Sequence, residues 1–199
     1  MPQITHHDLD GHAVGPAATG WAATRVLADL GIDSGRWALR SQPVSSTPLL
    51  TYARELHALQ RRVGAVMTDR VRQPPSLRGT RGARVSPASG SNGLNWPEPA
   101  QVHVHHDAEV RVLLQGRATF AVRAGDGWLA VACEPGEWLI LPAGLPHRLQ
   151  IGLGEEVEML RLYARPGGWR AEATGSVLPA SWQSWAAPEP SALQEALAA

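Results

Sequence analysis

The chain contains no lysine: all 18 of its basic side chains are arginine. Without a primary side-chain amine, Schiff-base catalysis and the lysine of a phosphate-binding loop are excluded. The single cysteine, Cys133, cannot close an internal disulfide and fits a reducing compartment. Charge of either sign is not in excess, with 18 acidic side chains against 18 basic. No overall field therefore draws the chain to nucleic acid or to an anionic membrane. No apolar run reaches the roughly 18 residues of a membrane helix, and no charged-then-apolar secretory pattern opens the chain. A 199-residue chain of this kind is expected to be one soluble, cytoplasmic domain with extensions.

What the sequence does have is histidine beside carboxylate. Over residues 102–111, His103, His105, Glu109 and Arg111 share one parity, and Val102, Val104 and Val110 share the other. Alternate residues of a strand lie on one face. A continuous strand here would place two imidazoles, a carboxylate and a guanidinium side by side, anchored by β-branched side chains behind. Further on, the apolar stretch from Trp138 to Leu141 runs through a Pro/Gly turn to His147. A lone buried histidine is usually a core residue satisfied by a hydrogen bond. Four ligand-type residues, three of them in phase, point instead to a metal centre. Three imidazoles and one carboxylate suit iron, nickel, cobalt or manganese. Structural zinc prefers four tetrahedral ligands, often thiolates. Four protein ligands on an octahedral ion leave two positions open, for a chelating substrate or for substrate and dioxygen. That favours an oxygenase over a hydrolase.

Elsewhere the chain is read by periodicity. Residues 1–17, with His6, His7 and His12 among glycine and proline, read as a polar terminus or a metal-binding tract. Trp21, Val26, Leu27 and Leu30 mark a first helix, with Gly31 able to end it. Ser46 or Thr47 would cap a second, with Pro48 in its first turn and Leu49, Tyr52, Leu56, Leu59, Val63 and Val66 on its apolar face. From Gln73 to Pro99 the sequence is rich in glycine, serine, proline and arginine, and a mobile loop is expected over 78–95. Its arginines have only Trp96 for base stacking, so nucleic-acid binding is a weak reading. From residue 101 short strands follow at regular spacing, among them a hairpin at Gly125-Asp126-Gly127. A sandwich or barrel follows. A short helix is expected from Ser191 to Ala198.

The pattern His-x-His-x-x-x-Glu with a distant His resembles the cupins. Glu109-Val110-Arg111, Leu141-Pro142-Ala143-Gly144, His147, Leu160-Arg161-Leu162 and Pro166-Gly167-Gly168-Trp169, in that order, resemble the acireductone dioxygenase family. The resemblance implies a mainly β, cupin-type jelly-roll barrel with two or three peripheral helices. It implies a core at 101–175, an N-terminal extension at 1–100 packed on the barrel, and a tail at 176–199. It implies one divalent transition metal per chain, nickel or iron, held by His103, His105, Glu109 and His147, with dioxygen as co-substrate. Arg111, Arg161, Leu149 and Trp169 would line the substrate site, and Arg111 would also take a catalytic part by neutralising an anionic substrate. Each has a plainer reading. Arg111 could pair with Asp107 or Glu109, Arg161 could pair with Glu158 on the surface, and Trp169 could be core.

Three departures from the family pattern bear on substrate. The residue before the ligand carboxylate is Ala108 where the family has aspartate; Val112 and Leu113 replace phenylalanines; Leu149 replaces an aromatic. Metal chemistry kept and a pocket remade suggest a divergent enzyme of natural product biosynthesis. The expected reaction is oxidation of L-cysteine with nitrogen migrating to sulfur to give a sulfonamide. The alternatives are an acireductone dioxygenase of methionine salvage and, in another class, a non-catalytic metal-binding cupin sensor. A small-molecule substrate is the expected partner, with no nucleic acid or membrane, in a monomer or homodimer.

Overall fold

The computed structural model describes residues 1–40, 48–73, 101–151, 155–168 and 170–183. In chain order the elements are β1 (Gln3–His7), α1 (Gly20–Asp29), β2 (Asp33–Arg36), α2 (Pro48–Thr51), α3 (Ala53–Val63) and β3 (Met67–Gln73). Then come β4 (His103–Val104), β5 (Glu109–Gln115), β6 (Ala118–Ala124), β7 (Gly127–Cys133), β8 (Glu137–Leu141), β9 (His147–Ile151), β10 (Val157–Tyr163), β11 (Glu172–Ala173) and α4 (Ala180–Gln183). The strands form two antiparallel sheets, in the orders β1-β7-β6-β9-β4-β11 and β2-β8-β5-β10-β3. This is the mainly β, jelly-roll architecture expected. The mobile-loop, Ser46/Thr47 cap, Trp169 and Ser191–Ala198 expectations lie outside the described residues.

The interior between the sheets is built by alternation. Leu113 of β5, Phe120 and Val122 of β6, Leu129 and Val131 of β7, Leu139 and Leu141 of β8, Leu149 of β9 and Met159 of β10 form one buried cluster. α1 adds Ala23 and Leu27 to it. α1 ends where Gly31 takes φ +72, as its sequence position suggested. Trp21, expected on the buried face of α1, is 74% exposed, and Arg25 lies over its ring instead. Every residue of β8 and β10 is buried, not alternate ones only. Their outward residues Trp138, Ile140, Leu160 and Leu162, with Val110 and Val112, are covered by Tyr52 and by Leu56 and Leu59 of α3. Removing one such leucine or isoleucine side chain from water is worth about 1.5–3 kcal/mol, so α3 stabilises this sheet from outside as the sequence suggested. Val66, placed by sequence on the same helical face, lies beyond its end and is exposed.

Two corrections to the sequence reading place the site. Residues 102–111 are not one strand. β4 belongs to the six-stranded sheet and β5 to the five-stranded sheet, and 105–108 form the corner between them. The parity of His103 and Glu109 survives because both sheets present the same interior. The division at residue 100 does not follow the sheets either. β1 pairs along β7, β2 along β8 and β3 along β10, so three strands of the first 73 residues are integral to the two sheets. The histidine-bearing start of the chain is the edge strand β1 followed by a turn. There the Asp8 carboxylate accepts the backbone N–H groups of Asp10 and His12. No helix among the described residues is long and apolar enough to cross a membrane.

Candidate metal centre

The two sheets bring four residues distant in sequence to one place. His103 on β4 is the direct cross-strand partner of His147 on β9. His105 sits in the corner, its carbonyl accepting the Gly144 N–H from the turn after β8. Glu109 opens β5 opposite Leu141 of β8 and Tyr163 of β10. His103, His105, Glu109 and His147 are each at most 4% exposed.

Each imidazole turns its Nε2 towards the others, and hydrogen bonds at Nδ1 set this. His103 Nδ1 lies 2.9 Å from the Gln101 carbonyl oxygen, His147 Nδ1 2.9 Å from that of Leu145, and His105 Nδ1 3.1 Å from that of Arg170. A carbonyl oxygen only accepts, so each Nδ1 carries the proton and each Nε2 keeps its lone pair. The three imidazoles offer ligand atoms that all lie within 4.8 Å of one another. Glu109 Oε2 lies 3.4 Å from His147 Nε2 and 3.7 Å from His105 Nε2. These three Nε2 atoms and Glu109 Oε2 are buried and have no hydrogen-bond partner. Buried polar atoms are seldom left so. Three imidazole nitrogens converging behind donated Nδ1 protons, with Glu109 Oε2 beside two of them, is the arrangement a divalent ion satisfies.

The electrostatics suit a cation. Burial, followed by the neighbouring charge of His147, pushes His103 down to about 4. His105 is lowered chiefly by burial, with Glu109 opposing. Burial alone would raise the Glu109 carboxyl, but Arg111, His147 and His105 outweigh it and hold the group well below its ordinary value. At neutral pH His103 and His105 are therefore neutral and Glu109 is a carboxylate, the protonation states that metals require.

The arginines stand in the interior, each paired. Arg111 Nη2 lies 2.7 Å from Glu109 Oε1, and its Nη1 3.3 Å from Met159 Sδ. Asp107, its other candidate partner, pairs with Arg165 at 2.7 Å. Arg161 is not a surface residue and does not bind Glu158, which Arg70 holds. It is 1% exposed and donates through Nε and Nη2 to the two Asp69 oxygens, at 2.9 and 2.7 Å. Leu149 lies in the interior cluster one alternation beyond His147. Cys133 is core, its thiol pushed up by burial. Ala108 packs against the outer cluster beneath α3, away from Glu109.

One site residue was missed by sequence reading. The Tyr163 hydroxyl donates to Glu109 Oε1 at 2.8 Å, and both residues are buried. Its position two beyond Arg161 on the last long strand was the available signal. Burial and the adjacent Glu109 charge raise its phenol, so it remains a donor.

Residues 100–171 match the model of the ARD/ARD' family. An acireductone dioxygenase of a Synechococcus species is 29% identical over 178 residues, covering 87% of this chain and 92% of that protein. Acireductone dioxygenase 1 of Nocardia farcinica is 29% identical over 153 residues, 75% of this chain and 78% of that protein. The solved acireductone dioxygenase of Bacillus anthracis, with a cadmium ion in its active centre, shares the fold at a TM-score of 0.65. It is 19% identical over 86% of this chain and 98% of that one. With the match centred on the strands that carry the histidines, and identity over the longer alignments below one third, the chain is similar to acireductone dioxygenases and shares their fold.

Proposed function

We propose that the chain is a metal-dependent dioxygenase acting on a small, chelating, sulfur-containing metabolite. The observation that carries this is the convergence of three orphaned ligand atoms, His103 Nε2, His105 Nε2 and His147 Nε2, in a buried interior, with the orphaned Glu109 Oε2 beside the last two. These four residues would hold one iron or nickel ion, which supplies Lewis acidity and open positions for substrate and dioxygen. The chain's own residues supply the rest. The Nδ1 contacts fix the imidazoles, and Arg111 and Tyr163 fix Glu109. Leu149 and the interior cluster exclude water around the centre.

Acireductone is the substrate we favour, because the similar proteins bear that name and because two supports for L-cysteine weaken. Ala108 faces the outer cluster, so its lack of a carboxyl takes no acid from the metal side. Arg111 and Arg161, the groups expected to receive an amino-acid carboxylate, are each engaged by a carboxylate of the chain itself. Oxidation of L-cysteine to a sulfonamide remains the competing reading, motivated by the aliphatic Leu113 and Leu149. Both differ from a non-catalytic sensor in consuming dioxygen. The test is iron- and nickel-loaded protein given acireductone or L-cysteine in air, with oxygen uptake followed and products weighed by mass spectrometry. Uptake with acireductone supports this reading. Uptake with cysteine alone shifts the substrate, and metal binding without uptake from either leaves the sensor.

A further inference from the structure

Glu109 has two carboxylate oxygens in different circumstances. Oε1 receives two charge-strength contacts, from Arg111 Nη2 at 2.7 Å and from the Tyr163 hydroxyl at 2.8 Å. Oε2 receives none and points at His105 and His147. The register makes this a built arrangement. Tyr163 lies directly across from Glu109, and Arg161 directly across from Arg111, on alternate positions of β10 and β5 that share a face. Tyr163 is held in turn, since the Arg161 guanidinium lies 5.8 Å from its ring centroid while gripped by Asp69.

We propose that Tyr163 is a positioning residue: with Arg111 it occupies Glu109 Oε1 and so restricts the carboxylate to one-oxygen ligation through Oε2. This rests on the metal reading above. A carboxylate can bind an ion through one oxygen or both. A second glutamate oxygen would fill one of the two positions a chelating substrate needs. Tyr163 thus keeps the centre open for two-point binding, and Arg161 and Asp69 serve by holding Tyr163 rather than by touching substrate. Loss of the phenol frees Oε1 from one of its two donors and lets the carboxylate swing.

The test uses cobalt(II)-loaded full-length protein, whose visible spectrum reports coordination. Wild type and Tyr163→Phe are titrated with acetohydroxamate, a two-point chelator, and with azide, a one-point ligand. Tyr52→Phe, which removes another buried phenol far from the site, controls for general loosening. Tyr163→Phe should keep one cobalt per chain and bind azide as wild type does. It should bind acetohydroxamate about tenfold more weakly, the lower end of the cost of losing a partner of a metal ligand. Unchanged acetohydroxamate affinity overturns the proposal. So does an equal loss for both probes or in Tyr52→Phe, since that marks a structural effect. A wild-type protein that takes up no cobalt brings down the metal reading itself, a separate failure. Should Tyr163→Phe not fold, wild-type protein labelled with 13C in its glutamate carboxyls decides. The infrared splitting of the carboxylate stretches on cobalt binding should be the wide one of one-oxygen ligation, and a narrow splitting overturns the proposal.

Discussion

His103 and His147 face each other across β4 and β9 as direct Cα partners, with ring centroids 4.6 Å apart. Each ring is turned by a carbonyl two residues before it in sequence, Gln101 for one and Leu145 for the other. The pairing makes His147 as necessary as the histidines of the 103–109 motif, although it lies 44 positions beyond His103 in sequence. His147→Ala removes one of three imidazole ligand atoms and leaves His103 without its neighbour. Metal affinity should fall by more than about tenfold, beyond the loss of a mere hydrogen-bond partner. Elemental analysis after dialysis measures it, and metal retained at wild-type stoichiometry would remove His147 from the ligand set.

Acid should destabilise the metal-free protein through the same pair. Burial and the charge of His147 push folded His103 down to about 4, against about 6.5 for an exposed histidine. Between those values the unfolded chain binds a proton that the folded chain refuses, so stability rises with pH across the window. Above pH 6.5 neither state is protonated at this group and its effect vanishes. The melting temperature of the apoprotein should therefore drop as pH falls from about 6.5 to about 4. His103→Asn should flatten that drop. An equally steep drop in the variant would place the titrating group elsewhere.

The parts of the fold that were legible and those that were not divide by position in the sheets. β5, β6, β7, β8, β9 and β10 were read because their residues are buried by neighbours on both sides and alternate or run apolar. β1, β2, β3 and β11 escaped, and all four are edge strands. β2 reads Asp-Ser-Gly-Arg and β11 Glu-Ala, with polar residues and too few positions to show a period. The ligand set was read through a strand that does not exist as one piece. Parity is preserved across the corner at 105–108, so a period of two cannot tell a continuous strand from one that changes sheet. The Arg111–Glu109 pair was among the sequence's own alternatives, whereas the Asp69 partner of Arg161 was not legible because it lies on an edge strand and is set by register.

Gly116 tests the strand geometry that delivers β5 and β6 to the site. It sits at φ +76 in the turn between them, and an added Cβ would lie 2.2 Å from the Glu156 carbonyl oxygen. Both backbone conformation and space oppose any side chain. Gly116→Ala should cost about 1–3 kcal/mol or more, as strained φ with a steric clash does. Denaturant unfolding measures it, and a stability within about 0.5 kcal/mol of wild type, the range of innocuous surface changes, would contradict the placement.

Position 108 separates the two substrate readings at the level of a single side chain. The family has aspartate there, and restoring it looks at first like restoring a catalytic acid. In this fold Ala108 packs with Trp37 and Val63 against the cluster that α3 covers, whereas Glu109, the next residue, faces the metal side. Adjacent residues of an extended chain point to opposite faces. A carboxylate at this partly buried position would therefore lie against an apolar layer, at a cost of about 1 kcal/mol. Ala108→Asp should lower the melting temperature and leave turnover of the metal-loaded enzyme unchanged or reduced for acireductone and L-cysteine alike. Steady-state oxygen uptake with each substrate measures it. A marked gain with acireductone in the variant would mean that position 108 reaches the substrate, and the lost aspartate would again count in favour of the amino thiol for the wild-type chain.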